Sequence, residues 1–189
     1  EKIKITMEDI DQASFNEIVE SILNAKKIYI LGVRSSAPLA SFLGFYFNLI
    51  FDNVRLVHTT SVSEMFEQIL RASEGDAVIG ISFPRYSKRT TKAMQFVKSQ
   101  GATVIAITDS KDSPLAAYAD HCVIARSDMA SFVDSLVAPL SVINALIVAI
   151  GMRKKESVYN TFERLETIWD EYQVYEKYDN IDTRRKVDY

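Results

Sequence analysis

Cysteine is nearly missing from this chain: one residue among 189, Cys122, so no internal disulfide can form and a reducing compartment, the cytoplasm, is expected. Cys122 lies in the apolar run His121-Cys122-Val123-Ile124-Ala125 and reads as a small core side chain. Histidine is scarce as well. The two present, His58 and His121, have no Cys partner and no spacing diagnostic of a metal site, so no metal is expected. An excess of positive charge is also lacking. A formal net charge of −3 gives no broad attraction to a phosphate backbone, which argues against this stretch alone binding nucleic acid. No basic segment leading into an apolar one opens the chain, so no secretory signal is read. The longest apolar stretch, Phe132 to Met152, is broken by Asp134, Ser135, Pro139, Ser141 and Asn144 and reads as a buried helix rather than a membrane span. The chain begins at Glu1 without a methionine, so the expectation is a piece of a longer protein with an N-terminal part elsewhere. Internal repeats and low-complexity linkers are not found.

What is present is regular. A composition of 48% hydrophobic and 25% charged residues suits one compact domain of this length. Apolar runs of strand length, rich in Val and Ile, occur at 27–31, 54–57, 77–81, 103–107 and 121–124. Three of them are almost continuously apolar, as expected of strands covered on both faces. Helix-period segments separate them at 37–50, 63–72 and 88–100, with a shorter one near 114–118. This alternation predicts right-handed βαβ units in an α/β fold with a doubly wound, five-stranded parallel sheet flanked by helices. Gly75 and Gly101 each read as a helix stop before a strand, and Ser113 as a cap with Pro114 at the first helical position. A leading helix is predicted over about 7–25 and a trailing one over about 156–175, the latter with Val158, Phe162, Leu165, Ile168 and Trp169 at helical spacing. The segment 179–189 is charged and reads as loose.

In such a fold, chemistry is expected where strands end and loops open into helix N-termini. Two of these loops are rich in hydroxyls: Gly32-Val33-Arg34-Ser35-Ser36-Ala37-Pro38 after the first strand, and Ser82-Phe83-Pro84-Arg85-Tyr86-Ser87-Lys88-Arg89-Thr90 after the third. Short hydroxyl side chains, an arginine and the free N–H groups of a starting helix together favour a phosphate. The competing reading is that Ser36 and Ser87 only cap helices. A dinucleotide cofactor does not fit the first loop. Arg34 replaces the glycine at which backbone must approach a pyrophosphate, and Asp52 falls before the second strand rather than at its end. No cofactor is expected.

At these residues the sequence resembles the sugar isomerase (SIS) domain, and within that superfamily the C-terminal effector domain of RpiR-family bacterial transcription regulators. The resemblance covers roughly 26–152. In the superfamily the first loop is commonly Gly-x-Gly-x-Ser and the second Ser-x-Ser-Gly-x-Thr, both on the phosphate of a phosphosugar. Gly32 and Ser36 match the first pattern; Ser82 and Ser87 match the ends of the second, with Ser for Thr. The run 76–87 is the part most similar to the RpiR group, joined by 106–110, 113–116 and 132–136. Arg34 departs from the pattern at a glycine, and Pro84 and Arg85 replace an inner Ser-Gly. The resemblance implies an SIS-type, flavodoxin-like three-layer sandwich that binds a phosphorylated sugar, with Ser35, Ser36, Ser82 and Ser87 on the phosphate. Arg34, Arg85, Ser131, Asp134, His58 and Glu64 are further candidate ligand contacts. Residues 1–25 would then be a leading helix linking to an absent helix-turn-helix domain, through which alone DNA is contacted, 26–152 the SIS domain, and 153–189 a trailing helix and charged tail. The implied protein is a phosphosugar sensor with no catalytic residues.

The alternative is a stand-alone phosphosugar isomerase. Aldose–ketose isomerisation needs a carboxylate or imidazole within hydrogen-bond reach of the reacting carbon. His58, after the second strand, and Glu64, opening the next helix, are the available bases; a structural hydrogen bond is the more common role for a loop histidine such as His58, and the helix dipole alone explains Glu64 about as well. The aromatic stretch 42–47 and the apolar helix 132–150 offer more apolar surface than one small sheet covers, so a homodimer or tetramer is expected. No membrane partner is expected.

Overall fold

A computed structural model describes residues 11–58, 61–127 and 135–176. In chain order the elements are α1 (Gln12–Leu23), β1 (Ile28–Gly32), a 3-10 turn (Arg34–Ser36), α2 (Ala37–Ile50), β2 (Val54–Leu56), α3 (Val62–Ile69), β3 (Ala77–Ile81), α4 (Lys88–Ser99), β4 (Thr103–Thr108), a second 3-10 turn (Ala116–Tyr118), β5 (His121–Ile124), α5 (Val137–Arg153) and α6 (Lys155–Glu171). The five strands form one sheet in the order β2-β1-β3-β4-β5. Every pair is parallel, with Ile28 opposite both Val54 and Ala77, and Ala77 opposite Thr103.

Strand periodicity divides the core in two. Ile28, Ile30, Ile79, Ile81, Ile105 and Ile107 point to one face, where α1, α2 and α5 cover them. Tyr29, Leu31, Val78, Val104 and Ala106 point to the other, under α3, α4 and the second 3-10 turn. Successive Cβ atoms in a strand alternate between faces, so a strand covered on both sides must be apolar at every position. That is why β1 and β3 are buried along their whole length. At about 1.5–3 kcal/mol for each fully buried large aliphatic side chain, these two layers dominate stability. The result is the three-layer α/β sandwich expected from the sequence.

The helix ends follow local chemistry. Asp11 caps α1 by accepting the Ser14 N–H at 3.0 Å, and Ser61 caps α3 by accepting the Glu64 N–H at 3.2 Å. Gly101 ends α4 with φ +86, a conformation that costs a Cβ-bearing residue about 1–2 kcal/mol. Gly75 acts differently from the expectation: α3 stops at Ile69, and Gly75 sits in a separate turn closed by the Asp76 N–H to the Ser73 carbonyl at 3.0 Å. Ser113 accepts the Ala116 N–H at 3.2 Å, capping a 3-10 turn in place of the short helix predicted there.

No single described helix is long and apolar enough to cross a membrane; α5 and α6 pass that test only as a pair, bent by 97°. Their junction carries the basic cluster Arg153-Lys154-Lys155, which does more than complement a helix dipole. Arg153 pairs with Glu20 of α1 at 2.5 Å, and the Lys154 ammonium lies 4.6 Å from the centre of the Phe51 ring. α6 buries no residue fully, although its Val158 packs on the core. Cys122 is half-buried against the second core layer, and burial pushes its thiol pKa up, away from reactivity.

Candidate functional site

In a doubly wound sheet the loops of adjacent strands diverge where the strand order reverses, and a crevice opens there. Here the reversal falls between β1 and β3. The chain leaves β1 for α2 on one face and leaves β3 for α4 on the other. The crevice is a small open cleft of about 100 Å³ lined by Val33, Arg34, Ser35, Ser36, Ser82, Phe83, Pro84, Arg85 and Ser87. The structure therefore brings together Ser35, Ser36, Ser82, Ser87, Arg34 and Arg85, all six anticipated in the two hydroxyl-rich loops.

The first loop is held by close backbone packing. A Cβ on Gly32 would lie 2.5 Å from the Ser36 carbonyl oxygen and 3.1 Å from the Ala40 Cβ. Only glycine lets the turn 34–36 fold back against the strand it has just left. Ser36 occupies the N-cap position of α2 without making a side-chain cap bond. It is 4% exposed, and its hydroxyl has no hydrogen-bond partner among the described residues. The simple capping explanation thus fails for Ser36.

The second loop is held by side chains. Ser82 extends the β3–β4 pairing by donating its N–H to the Ile107 carbonyl at 3.1 Å. Its own hydroxyl, on a residue 3% exposed, has no partner among the described residues. Phe83 is anchored in the first core layer. Ser87 does cap α4, accepting the Thr90 N–H at 3.4 Å, but this uses a lone pair and leaves its O–H free to donate. Tyr86 donates to Asp109 Oδ1 at 2.9 Å, and Thr108 Oγ1 donates to the same oxygen at 3.2 Å. Burial, together with the hydrogen bond to Asp109 and its charge, pushes the Tyr86 pKa up to about 12. The tie fastens the second loop to the end of β4. Reading the sequence did not single out Tyr86–Asp109, because nothing in a spacing of 23 residues signals a contact made across two strands.

Both loops hold an arginine in left-handed backbone, Arg34 at φ 57 and Arg85 at φ 64. Such a residue costs about 1–3 kcal/mol relative to relaxed backbone, and strain of this kind persists where the surrounding structure enforces it. Among the described residues the cleft's lining includes two arginines and no carboxylate. Its two helices also lack an acidic residue in the first turn, whereas α3, away from the cleft, carries Glu64 there. The positive ends of α2 and α4 are therefore left without a side-chain anion nearby on the same helix, an arrangement suited to an external one.

The other anticipated contacts do not join this group. His58 follows β2, its N–H donating to Gln68 Oε1 and its carbonyl accepting from Gln68 Nε2, both at 2.9 Å, with the side chain exposed. Glu64 lies exposed in the first turn of α3. Neither lines the cleft. His121 begins β5, at the opposite end of a parallel sheet, with Nε2 3.4 Å from Ser21 Oγ and Nδ1 3.6 Å from Glu17. Ser131 and Asp134 lie outside the described residues.

The chain was compared with known proteins. The SIS domain family model matches residues 21–149. An uncharacterized HTH-type transcriptional regulator of Caldanaerobacter subterraneus is 27% identical over 170 residues, which is 88% of this chain and 60% of the relative. A second regulator of that description, from Haemophilus influenzae, is 28% identical over 63% of this chain and 41% of the relative. The chain thus spans 60% or less of the length of these relatives. Among solved structures, the sugar isomerase domain of an RpiR transcription factor from Sphaerobacter thermophilus superposes with a TM-score of 0.81 at 24% identity, covering 88% of this chain and 92% of that one. The first and third strand loops, the 2-1-3-4-5 sheet and the match over 21–149 all lead to one assignment: this chain belongs to the SIS domain family.

Proposed function

We propose that this chain is the phosphosugar-sensing effector domain of an RpiR-type bacterial transcription regulator. The observation that carries the reading is the convergence of both hydroxyl loops on one cleft, lined by the largely buried residues Ser36 and Ser82, whose hydroxyls have no hydrogen-bond partner among the described residues, between the N-termini of α2 and α4. A phosphate there accepts from Ser35, Ser36, Ser82 and Ser87 and from helix N–H groups. A structure of NanR from Vibrio vulnificus in complex with ManNAc-6P, with a TM-score of 0.76 and 20% identity, supports the ligand class. The regulators among the relatives support the role, with DNA contacted by a helix-turn-helix domain outside this chain and the protein working in the cytoplasm. On this reading residues 26–152 hold the ligand, 1–25 lead to the DNA-binding part, and 153–189 form the trailing helix and tail.

A bound phosphosugar ties a loop leading to one face of the sheet to a loop leading to the other. Any difference in its affinity between two relative positions of α2 and α4 shifts their populations, and α1, packed on the same face as α2, carries the shift toward the DNA-binding domain. Exposed apolar residues on α2, α5 and α6, including Phe45, Val148, Met152 and Ile168, support assembly into a homodimer or tetramer, which sedimentation reads directly.

The test is thermal. A phosphosugar at 100 times its Kd stabilises the domain by about 2.7 kcal/mol and raises its midpoint, while the matching neutral sugar does not. A broad phosphosugar panel that leaves the midpoint unmoved would refute the site. The reading also assigns no turnover, since neither His58 nor Glu64 lines the cleft. Enzyme-dependent deuterium exchange beside the carbonyl of an aldose or ketose phosphate, lost in His58→Ala or Glu64→Gln, would establish the isomerase instead.

A further inference from the structure

The helices around the sheet differ in charge. α3 carries Glu64 and Glu67, α4 carries Lys88, Arg89, Lys92 and Lys98, and α1 carries Glu17 and Glu20. α2 has no charged residue at all, and α5 has none before its last residue, Arg153. Both are outer-layer helices in a chain that is 25% charged, and an outer helix facing water ordinarily carries charge on the face away from the core. The outward residues here are apolar instead. Phe45 is 62% exposed, Val148 59% and Met152 69%, and on α2 Phe42 and Phe45 each stack edge-on against Tyr46, at 5.0 and 5.1 Å.

α5 packs on both α2 and α1. Midway along it, between Val137 and Val148, stands the exposed Asn144, whose side-chain amide has no hydrogen-bond partner among the described residues. One neutral polar side chain in an apolar stripe is a device that sets register and partner number where such helices pack together. Whatever covers this face must itself be uncharged. Five of residues 1–10, two of 128–134 and seven of 177–189 are charged, so these segments of the chain match it poorly. The face matches itself, and under a two-fold axis one patch serves both sides. With 14 and 17 residues at about 1.5 Å each, packed about 8–10 Å apart, α2 and α5 present a face of about 500 Å² in projection. Side-chain relief and the rim bring this toward the ~800 Å² that each partner buries in a stable interface.

We propose that the outer face of α2 and α5 is the interface between two copies of this chain, with α5 packed on its counterpart and Asn144 inside the contact. The proposal rests on the homo-oligomeric assembly inferred above and gives it one face. α2 starts beside Ser36, in the cleft, so one helix bears both the ligand loop and the interface.

Sedimentation of the chain over a concentration series tests this with Val148→Glu, Asn144→Asp and, as the control, Leu70→Glu. Leu70 is as exposed as Phe45, at 62%, but follows α3 in the opposite layer. All three positions are exposed in the single chain, so each new carboxylate meets water there and circular dichroism keeps its wild-type form. The expected result is that Val148→Glu and Asn144→Asp each raise the Kd of pairing about 100-fold or more, because both copies bring an unpaired carboxylate into an uncharged contact. Leu70→Glu sediments as the wild type does. Should Val148→Glu fail to fold, the isosteric Asn144→Asp carries the test alone. Unchanged pairing in either folded face variant, or an equal loss in Leu70→Glu, overturns the inference and leaves the assembly to another face. A wild-type chain that stays monomeric when concentrated removes the inference and the assembly together, while the thermal shift with phosphosugars decides the ligand reading separately.

Discussion

The two loops of the cleft do the same job by different physics. The first, 32–36, is positioned by backbone packed on backbone: Gly32 admits the Ser36 carbonyl at a distance no Cβ allows, and the Ser36 hydroxyl is spared from capping. The second, 82–87, is positioned by side chains, with Phe83 in the core, Ser87 capping α4 and Tyr86 tied to Asp109. A loop fixed by close packing has no adjustable part, so a single methyl group displaces it. A loop fixed by several separate bonds loses them one at a time.

The largest effect is therefore expected at Gly32. In Gly32→Ala the new methyl meets backbone rather than a flexible side chain, and overpacking of this kind costs about 1–3 kcal/mol. Because the strain moves Ser35 and Ser36 away from the cleft, ligand binding falls further than stability does. Chemical denaturation and calorimetric titration of the same sample read the two separately. A variant that binds phosphosugar as the wild type does would show that the first loop tolerates displacement.

Next comes the pair Ser82→Ala with Ser87→Ala. Each hydroxyl bonded to a charged phosphate contributes about 1.5–3 kcal/mol, so the double variant loses about 100-fold or more in affinity. The stability cost is confined to Ser87, whose lost cap is worth about 1 kcal/mol. Ser36→Ala, which removes no cap, sharpens the contrast: it weakens binding with almost no loss of stability. Unchanged affinity in the double variant would take the second loop out of the site.

The smallest effect is expected at Tyr86. Tyr86→Phe removes one hydrogen bond, worth about 1 kcal/mol, and loosens a single tie of the second loop. Its signature is in the pH dependence. The folded pKa is raised to about 12 from an ordinary value of 10.0, so the contribution is present in full below pH 10 and is lost as pH rises through about 12. Wild type should lose more stability than Tyr86→Phe between those limits in alkaline denaturation curves. Parallel curves would mean that the tie to Asp109 does not hold the loop.

Much of the fold was legible because its determinants are local. Continuous Val/Ile runs of five residues mark doubly covered strands, and α2 and β3 begin and end where hydrophobic period and punctuation place them. Boundaries drifted where a turn intervened, as at Ile69, where α3 ends before the apolar pattern does. In the site, serines at strand ends were visible as a composition signal, and so were the two arginines. Their left-handed backbone was not, since positive φ at a non-glycine residue is imposed by the surroundings rather than favoured by the residue itself.

The sequence alone determined the α/β class, the parallel sheet and the two loops worth attention, because these follow from alternation of apolar periods and from residue types at strand ends. Only the tertiary structure decided which groups meet. It set β1 beside β3, so that loops 50 residues apart, counted from Gly32 to Ser82, share one cleft. It also left His58, Glu64 and His121 outside that cleft and tied Tyr86 to Asp109. Strand order and loop contact are settled by how whole layers pack, and no short window of residues carries that information.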